Sequence, residues 1–204
     1  MLTSFTAPRG GVSALRAAGR ALMDDIVKQA LKKWPNVPHC YDWLALDARG
    51  DWYMRDERIQ HAGPFPQVKG SRIQHEKLRE FIERNYLCDD AGCWFFQNGP
   101  QRVYVELEAA PWVWRVQSSA GGGAPRVVGH TGAAANVAGA WMDERGRLFL
   151  EADIGFGIVH TLDMELAADA VEAGAWAPAE MRFEAMPQRF GYQLKPQPHA
   201  PEKT

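Results

Sequence analysis

The chain has 204 residues, 46% of them hydrophobic and 24% charged, as in ordinary globular proteins that bury a core without disulfides or a metal. The net charge of -2 and the pI near 6.3 argue against a nucleic-acid-binding protein that relies on positive charge. Three cysteines form an odd set, which favours a reducing cytoplasm, and no run approaches the roughly 18 apolar residues of a membrane span.

The N-terminal region predicts a helix. Residues 12–34 place apolar side chains on one face, lysines and arginines flank that face, and Pro35 ends the pattern. Such a basic amphipathic helix docks on its own domain or lies on a membrane surface. Met1 and Met23 are both candidate starts, and the second would make residues 1–22 an extension without a structural role.

Three segments predict β-hairpins, because each has two apolar runs around a short turn that contains glycine. They cover residues 42–56, 93–106 and 139–153, and each opens with a tryptophan: Trp43, Trp94 and Trp141. The turn glycines lie 49 and then 47 residues apart. This regular spacing predicts an internal repeat.

A second helix is predicted between the first two hairpins, at residues 75–86, after a loop at residues 55–69. Ser71 and Gln74 have the spacing of a capping box, and the face opposite the apolar one carries charged side chains. We therefore expect this helix to pack on the first sheet with a solvated outer face.

The second half of the chain is predicted to contain mainly strands. Residues 112–116 resume as a strand before the glycine-rich linker at residues 118–124. After the third hairpin, residues 163–174 predict a short helix, and residues 181–184 and 190–194 predict the last strands.

Together these elements predict an α+β fold with antiparallel sheets built from repeated hairpins. We expect two related halves, one helix packed on the first sheet and an N-terminal helix. The predicted units are an N-terminal helical extension at residues 1–36, a hairpin–helix–hairpin unit at 37–117, a β-rich unit at 125–195 and a disordered tail at 196–204.

The order of these elements resembles an uncharacterised proteobacterial family that is known only as a domain of unknown function. The residues that carry the resemblance span roughly residues 42–160 and are Gly50–Tyr53, Gly70–Ile73, Leu78, Phe81, Leu107–Trp112 and, more weakly, Leu148–Gly155. The chain departs from the family pattern at Ala109, where the relatives have an acidic residue, and in its longer loop before the helix. The resemblance implies two related α+β halves and binding of a small ligand or regulator, and brings no catalytic residues.

No nucleophile elbow, phosphate-binding loop, dinucleotide fingerprint or zinc-protease motif occurs in the chain. We therefore predict no catalytic residues, no metal site and no cofactor. The densest polar cluster follows the first hairpin and predicts either a solvated loop or arginine forks for an anionic ligand or a partner's carboxylates. The candidate ligand-binding residues are Trp52, Arg55, Asp56, Arg58 and Arg102.

The leading hypothesis is a non-catalytic cytoplasmic binding or regulatory module that uses a groove between the halves. One alternative is a protein–protein interaction or scaffold protein that docks through a sheet edge or the basic helix. Another is an enzyme of unfamiliar type. We expect a small ligand or a protein partner, no nucleic acid and no transmembrane segment, and a homodimer is left open.

Overall fold

The computed structural model describes residues 25–34, 37–119 and 124–198. Within these residues, the first half contains three helices, α1 (Asp25–Lys33), α2 (Glu57–Ala62) and α3 (Glu76–Arg84), and six strands, β1 (Cys40–Leu46), β2 (Trp52–Met54), β3 (Ser71–Arg72), β4 (Tyr86–Cys88), β5 (Trp94–Asn98) and β6 (Gln101–Leu107). The second half contains the strands β7 (Trp112–Gln117), β8 (Arg126–Gly129), β9 (Ala134–Ala135), β10 (Val137–Met142), β11 (Leu148–Ala152), β12 (Gly155–Val159) and β13 (Ala179–Glu180), and the helices α4 (Met164–Glu172) and α5 (Met186–Phe190).

The strands form two sheets, so the predicted α+β class is confirmed. The first sheet has the order β3-β2-β1-β6-β5-β4, and the second has the order β13-β10-β11-β12-β7-β8-β9. The three predicted hairpins are β1–β2, β5–β6 and β10–β11. Both sheets are mixed and not purely antiparallel, because β1 pairs with β6, β7 with β12 and β10 with β13 in parallel. Strand periodicity does not reveal which strands pair after a crossover.

The same hydrogen-bonded turn connects three pairs of antiparallel strands, β1–β2, β4–β5 and β10–β11. In three turns an aspartate carboxylate accepts hydrogen bonds of 2.9–3.0 Å from the backbone N–H groups two and four residues later; these are Asp47, Asp89 and Asp143. A glycine with positive φ stands three residues after each aspartate, namely Gly50, Gly92 and Gly146. The aspartate satisfies turn N–H groups and the glycine adopts the left-handed conformation, so the sequence pattern dictates the turn.

The core runs without interruption from the first sheet into the second. Trp52, Tyr86 and Trp94 of the first half meet Trp112 of the second, and the Trp94 and Trp112 rings lie 5.7 Å apart. Gly129 lies under Trp112, since a Cβ there would stand 2.7 Å from the indole ring. The junction between the halves is therefore filled with aromatic side chains where a binding groove was expected.

Helix α3, which was predicted between the first two hairpins, begins several residues after the predicted capping residue Ser71. Ser71 belongs to β3, and His75 caps α3 by accepting the N–H of Leu78 at 3.3 Å. Ile82 is buried beneath the first sheet, as the helical pattern predicts, whereas Leu78 is 37% exposed. The capping-box prediction is wrong, because the segment after Gly70 pairs with β2 instead of entering the helix.

The prediction that residues 181–184 and 190–194 form the last strands is also wrong. Residues 181–194 contain a short 3-10 turn (Phe183–Ala185), α5 and an irregular segment that crosses back to the first half. Pro187 lies in the first turn of α5, where its missing N–H costs no hydrogen bond. The helix predicted at residues 163–174 is present as α4 and is followed by Gly174 with φ 72°.

The chain passes from the first sheet to the second between β6 and β7, whereas the predicted boundary at residues 118–124 falls between β7 and β8 of the second sheet. The division into independent units stays a prediction. Of the predicted N-terminal helix, α1 is described, and residues 1–24 and 199–204 lie outside the described residues. No helix in the described part of the chain is long and apolar enough to cross a membrane.

Candidate functional site

The first sheet has one face in the core and one face outside it, which we call the outer face. Val105 and Leu107 of β6 are buried in the core, so strand alternation places Tyr104 and Glu106 on the outer face. The same register places Ala45 and Tyr53 beside Glu106. The outer face therefore carries polar and charged side chains from three adjacent strands.

A buried ion pair lies at the centre of the outer face. Arg55 Nε is 3.1 Å from Glu106 Oε2, and the two side chains are 2% and 5% exposed. The guanidinium also donates to the carbonyl of Gly63 at 2.9 Å, to that of Val68, and to that of Lys69 at 3.4 Å. Arg55 thus holds the loop that follows β2 over the outer face.

A lysine bridges two carboxylates at one end of the outer face. Lys69 Nζ lies 2.9 Å from Asp47 and 3.0 Å from Glu108. Burial alone would raise the pKa of Asp47, but the hydrogen bonds from Lys69 and from two backbone N–H groups of the turn outweigh it and lower the pKa. Asp47 therefore keeps its negative charge while its side chain is 2% exposed.

A second lysine bridges two carboxylates beside the central ion pair. Lys195 Nζ lies 3.2 Å from Glu106 Oε1 and 3.5 Å from Asp42 Oδ1, and its side chain is 52% exposed. Burial would lower the pKa of Lys195, but the hydrogen bond and charge of Glu106 outweigh this effect and raise it. The residue comes from the C-terminal segment, whose Leu194 carbonyl accepts the N–H of Leu107 at 2.8 Å.

The first strand has a bulge next to this lysine. Cys40 pairs with Val103 and Leu44 pairs with Val105, so three residues of β1 stand opposite one residue of β6. Asp42 within the bulge has φ 65°, the only positive φ of a non-glycine residue in the described part of the chain. Its neighbour Trp43 is 40% exposed. Bulges of this kind redirect side chains and are common beside functional sites.

The other end of the outer face is aromatic. Tyr41 stacks on Tyr104 with the ring centroids 4.5 Å apart, and the Tyr104 hydroxyl donates to Asp89 at 3.0 Å. Arg102 lies over the ring of Phe95 at 4.6 Å. Arg102 therefore shares the outer face with Arg55, as the alternation along β6 requires.

The structure separates the five residues predicted to bind a ligand. Trp52 is fully buried in the core, on the opposite face of the sheet. Asp56 caps α2 by accepting the N–H of Ile59 at 2.9 Å, and Arg58 is exposed on that helix. Only Arg55 and Arg102 lie on the outer face, and Arg55 is buried in contact with Glu106 and the loop after β2.

Sequence reasoning missed Asp42 and Lys195 as members of this site. Glu106 lies in β6 and Glu108 directly follows its end, and both pair with cations of the outer face. Nothing in the sequence indicates that a residue ninety positions later would reach Glu106. A bulge at Asp42 is also not marked by glycine, the usual signal for positive φ.

The carboxylates of the outer face contact lysine or arginine side chains. Within the described residues, no group of three His, Cys, Asp or Glu side chains could hold a metal ion. The cysteines Cys40, Cys88 and Cys93 form no disulfide bond. The charged groups of the outer face are thus paired with one another within the chain.

A separate concavity of about 650 Å³ lies in the second half, bordered by β8, β9, β10 and the segment after α4. Seven alanines and one glycine are among its 14 lining residues, and Trp176 is buried beside it. All of these residues follow the sheet boundary. It is therefore not a groove between the halves.

The fold and the site define an α+β protein with two mixed sheets and an ion-paired outer face on the first sheet. A family model, DUF2944, described as "Protein of unknown function (DUF2946)", matches residues 23–197, so the chain belongs to this family. The predicted membership of a family known only as a domain of unknown function is confirmed.

Two solved structures are similar to this chain. A DUF1285 family protein from Silicibacter pomeroyi DSS-3 has 13% sequence identity and a TM-score of 0.47, with 76% of this chain and 82% of that chain covered. A DUF1285 family protein from Shewanella baltica OS155 has 14% identity and a TM-score of 0.44, with 62% and 91% covered. No curated protein matches the chain.

Proposed function

We propose that the protein is a non-catalytic cytoplasmic binding or regulatory module, and that the outer face around the β1 bulge is its binding surface. The observation that carries this proposal is the bulge itself. It holds Asp42 at φ 65° and leaves the large side chain of Trp43 40% exposed beside it.

The bulge has a cost in conformational free energy, and it leaves the side chain of Trp43 partly exposed to solvent. A non-glycine residue in the left-handed region costs of order 1 kcal/mol, and such strain persists where the surrounding structure enforces it. Exposed tryptophans are enriched among residues that dominate binding energy. Asp42 has a strained backbone, is followed in the chain by an exposed tryptophan and is bridged by Lys195 to the buried Glu106. This combination supports recognition of a ligand more than it supports stability.

The test is a thermal-unfolding screen with a panel of amino acids, dicarboxylates, alkylamines and nucleotides. A compound present at about 100 times its Kd should raise the free energy of unfolding by about 2.7 kcal/mol. For a chain of this length that stabilisation corresponds to an increase in Tm of roughly 5–10 °C. Trp43→Ala should abolish the increase for the compound that binds here.

The matched control is Trp34→Ala, which removes another exposed tryptophan, 51% exposed and directly after α1. It should leave the ligand-induced increase in Tm unchanged. A panel without any stabilising compound, or a stabilisation that survives Trp43→Ala, would count against the proposal.

A protein-interaction role remains the second candidate because of α1. Ile26 is 72% exposed and Trp34 is 51% exposed on this short basic helix. A partner that binds there should be lost from pull-downs with a chain that lacks residues 1–34. Partners retained after this deletion would exclude the helix as the contact.

A further inference from the structure

We propose that Lys195 occupies the position of a ligand's ammonium group, so that the bulge site recognises a primary amine and the C-terminal segment inhibits it in cis. This inference rests on the proposed function, because it assigns a ligand class and a means of regulation to the same surface. Four features of the site carry it.

The first feature is the charge balance. Asp42 and Glu106 contribute two negative charges, and Arg55 and Lys195 contribute two positive ones. Withdrawal of Lys195 leaves one net negative charge beside a glutamate that is 5% exposed. Arg55 still pairs with Glu106, and the remaining excess of one negative charge attracts a cation to the vacated position.

The second feature is the poor fit of Lys195. Its distance of 3.5 Å to Asp42 Oδ1 exceeds the 2.7–3.2 Å of an ordinary N–H···O hydrogen bond. Asp42 Oδ1 itself is buried, and this long contact is its ion pair with Lys195. An amine that is not tethered to the chain can move closer to both carboxylates than Lys195 does.

Lys69 provides an internal comparison. It also bridges two carboxylates, but its distances of 2.9 and 3.0 Å are both within hydrogen-bonding range. It is 36% exposed, whereas Lys195 is 52% exposed. The same arrangement is therefore tight at Lys69 and loose at Lys195.

The third feature is the low cost of moving the Lys195 side chain. Backbone hydrogen bonds anchor the preceding residues, from Leu107 N–H to Leu194 and from Gln193 N–H to Gly92. The ammonium can thus leave without unfolding the segment. Half-exposed ion pairs contribute little to stability, which makes this exchange inexpensive.

The fourth feature is the exposed indole of Trp43, directly after Asp42 in the chain. Carboxylates beside an exposed aromatic ring are the groups that recognise ammonium ions, by charge pairing and by attraction to the ring face. The chemistry of the site therefore matches an alkylammonium group.

The test compares n-butylamine with n-butanol and butyrate, using calorimetric titration of the wild-type chain and of Lys195→Ala. Removing the tethered competitor should strengthen n-butylamine binding at least about ten-fold, because a tethered group acts at an effective concentration in the millimolar range. Butanol and butyrate should bind neither protein. Lys77→Ala, which removes an exposed lysine on α3, should behave like the wild type.

Three results would overturn the inference. The first is that n-butylamine does not bind to Lys195→Ala. The second is that n-butylamine binds equally well to the wild type and to Lys195→Ala. The third is that n-butanol binds as well as n-butylamine. The proposed function would survive each of them if another panel compound still required Trp43. Parallel titration with Nα-acetyl-lysine amide separates the sources of the amine, since binding of n-butylamine alone supports a free small amine and binding of both supports a lysine side chain.

A wild-type measurement avoids dependence on the stability of the variant. In a chain with isotope-labelled lysines, excess n-butylamine should move the Lys195 Nζ resonance to the value of an unpaired lysine and leave the Lys69 resonance in place. An unchanged Lys195 signal at saturation would overturn the inference.

Discussion

Arg55 illustrates how one residue fixes a surface of this protein. Its guanidinium pairs with Glu106 and donates to backbone carbonyls of the loop that follows β2. Both side chains are nearly inaccessible to water, at 2% and 5% exposure. Loss of one partner leaves the other as a buried, incompletely compensated charge.

We therefore expect Arg55→Met to lower the free energy of unfolding by about 3–5 kcal/mol. Denaturant unfolding monitored by tryptophan fluorescence measures this change. Arg58→Met is the matched control, since Arg58 is exposed on α2 and its loss should change stability by no more than about 0.5 kcal/mol.

Adding Glu106→Leu to Arg55→Met removes the uncompensated charge and should recover more than half of the lost stability. Equal effects of Arg55→Met and Arg58→Met would show that the buried pair does not hold the loop.

The charged cluster from Arg55 to Arg58 shows which roles of a charged residue can be predicted from its neighbours in the sequence. Asp56 before a short helix is a typical N-cap, and its bond to Ile59 is a local interaction. The burial of Arg55 depends on Glu106, fifty positions later. Local chemistry is readable from the sequence, whereas burial of a charge depends on partners that only the fold brings together.

At the scale of the element, the aspartate-and-glycine turns are the most predictable parts of the chain. Asp143 accepts two backbone hydrogen bonds and also pairs with Arg147 at 2.7 Å. Burial would raise the pKa of Asp143, but the hydrogen bonds from Arg147 and Arg145 outweigh it and lower the pKa. The ionised carboxylate thus stabilises the folded hairpin.

We expect Asp143→Asn to lower the free energy of unfolding at pH 7 by about 1.5–3 kcal/mol, the usual range for hydrogen bonds to a charged group. A carboxylate with a lowered folded pKa contributes stability above its unfolded pKa of about 3.9 and loses it as the pH falls through the folded pKa. The difference between wild type and variant should therefore shrink as the pH falls below about 4.

Denaturant unfolding at a series of pH values measures that difference. Asp169→Asn, an exposed change on α4, should show no comparable effect at any pH. A deficit of Asp143→Asn that stayed constant into acid would show that the carboxylate's charge does not stabilise the turn.

The C-terminal elements show the limit of prediction at this scale. Residues 181–184 and 190–194 contain alternating apolar residues and were predicted as strands. Their aromatic side chains instead pack on the second sheet from helical turns, with the rings of Phe190 and Phe156 3.7 Å apart. Short apolar runs fit either structure, and here contacts with distant residues decide between them.

At the scale of the whole molecule, His130 joins the two halves. It stands in the β8–β9 turn, where Gly129 replaces the aspartate of the other turns because the Trp112 ring lies against it. The imidazole ring lies 5.8 Å from Trp52 and from Tyr86 of the first half, and its Nδ1 accepts the N–H of Val113 at 3.3 Å. Burial lowers the pKa of His130 to about 3.

We expect His130 to make the molecule sensitive to mild acid. Because its folded pKa lies below the unfolded value of about 6.5, the unfolded state binds the proton first, and stability falls as the pH drops from about 6.5 towards 3. The loss from this residue should reach at most about 1.4 kcal/mol per pH unit.

Thermal unfolding of wild type and His130→Asn between these pH values measures the contribution. The asparagine Oδ1 can accept the Val113 N–H but does not titrate, so the variant should be less stable at pH 7 and lose less stability in acid. Parallel pH profiles of the two proteins would show that His130 does not carry the effect.

Local sequence patterns were sufficient to predict the α+β class, the three hairpins with their glycine-containing turns, and three of the helices. These depend on alternation, helical spacing and turn residues, all of which act over a few neighbouring positions. Three features emerge only in the folded chain: the parallel pairing of β1 with β6, the aromatic filling of the junction between the halves, and the contact of Lys195 with Asp42 and Glu106. Those features join residues distant in the chain, and their energies depend on burial and partners that no local pattern contains.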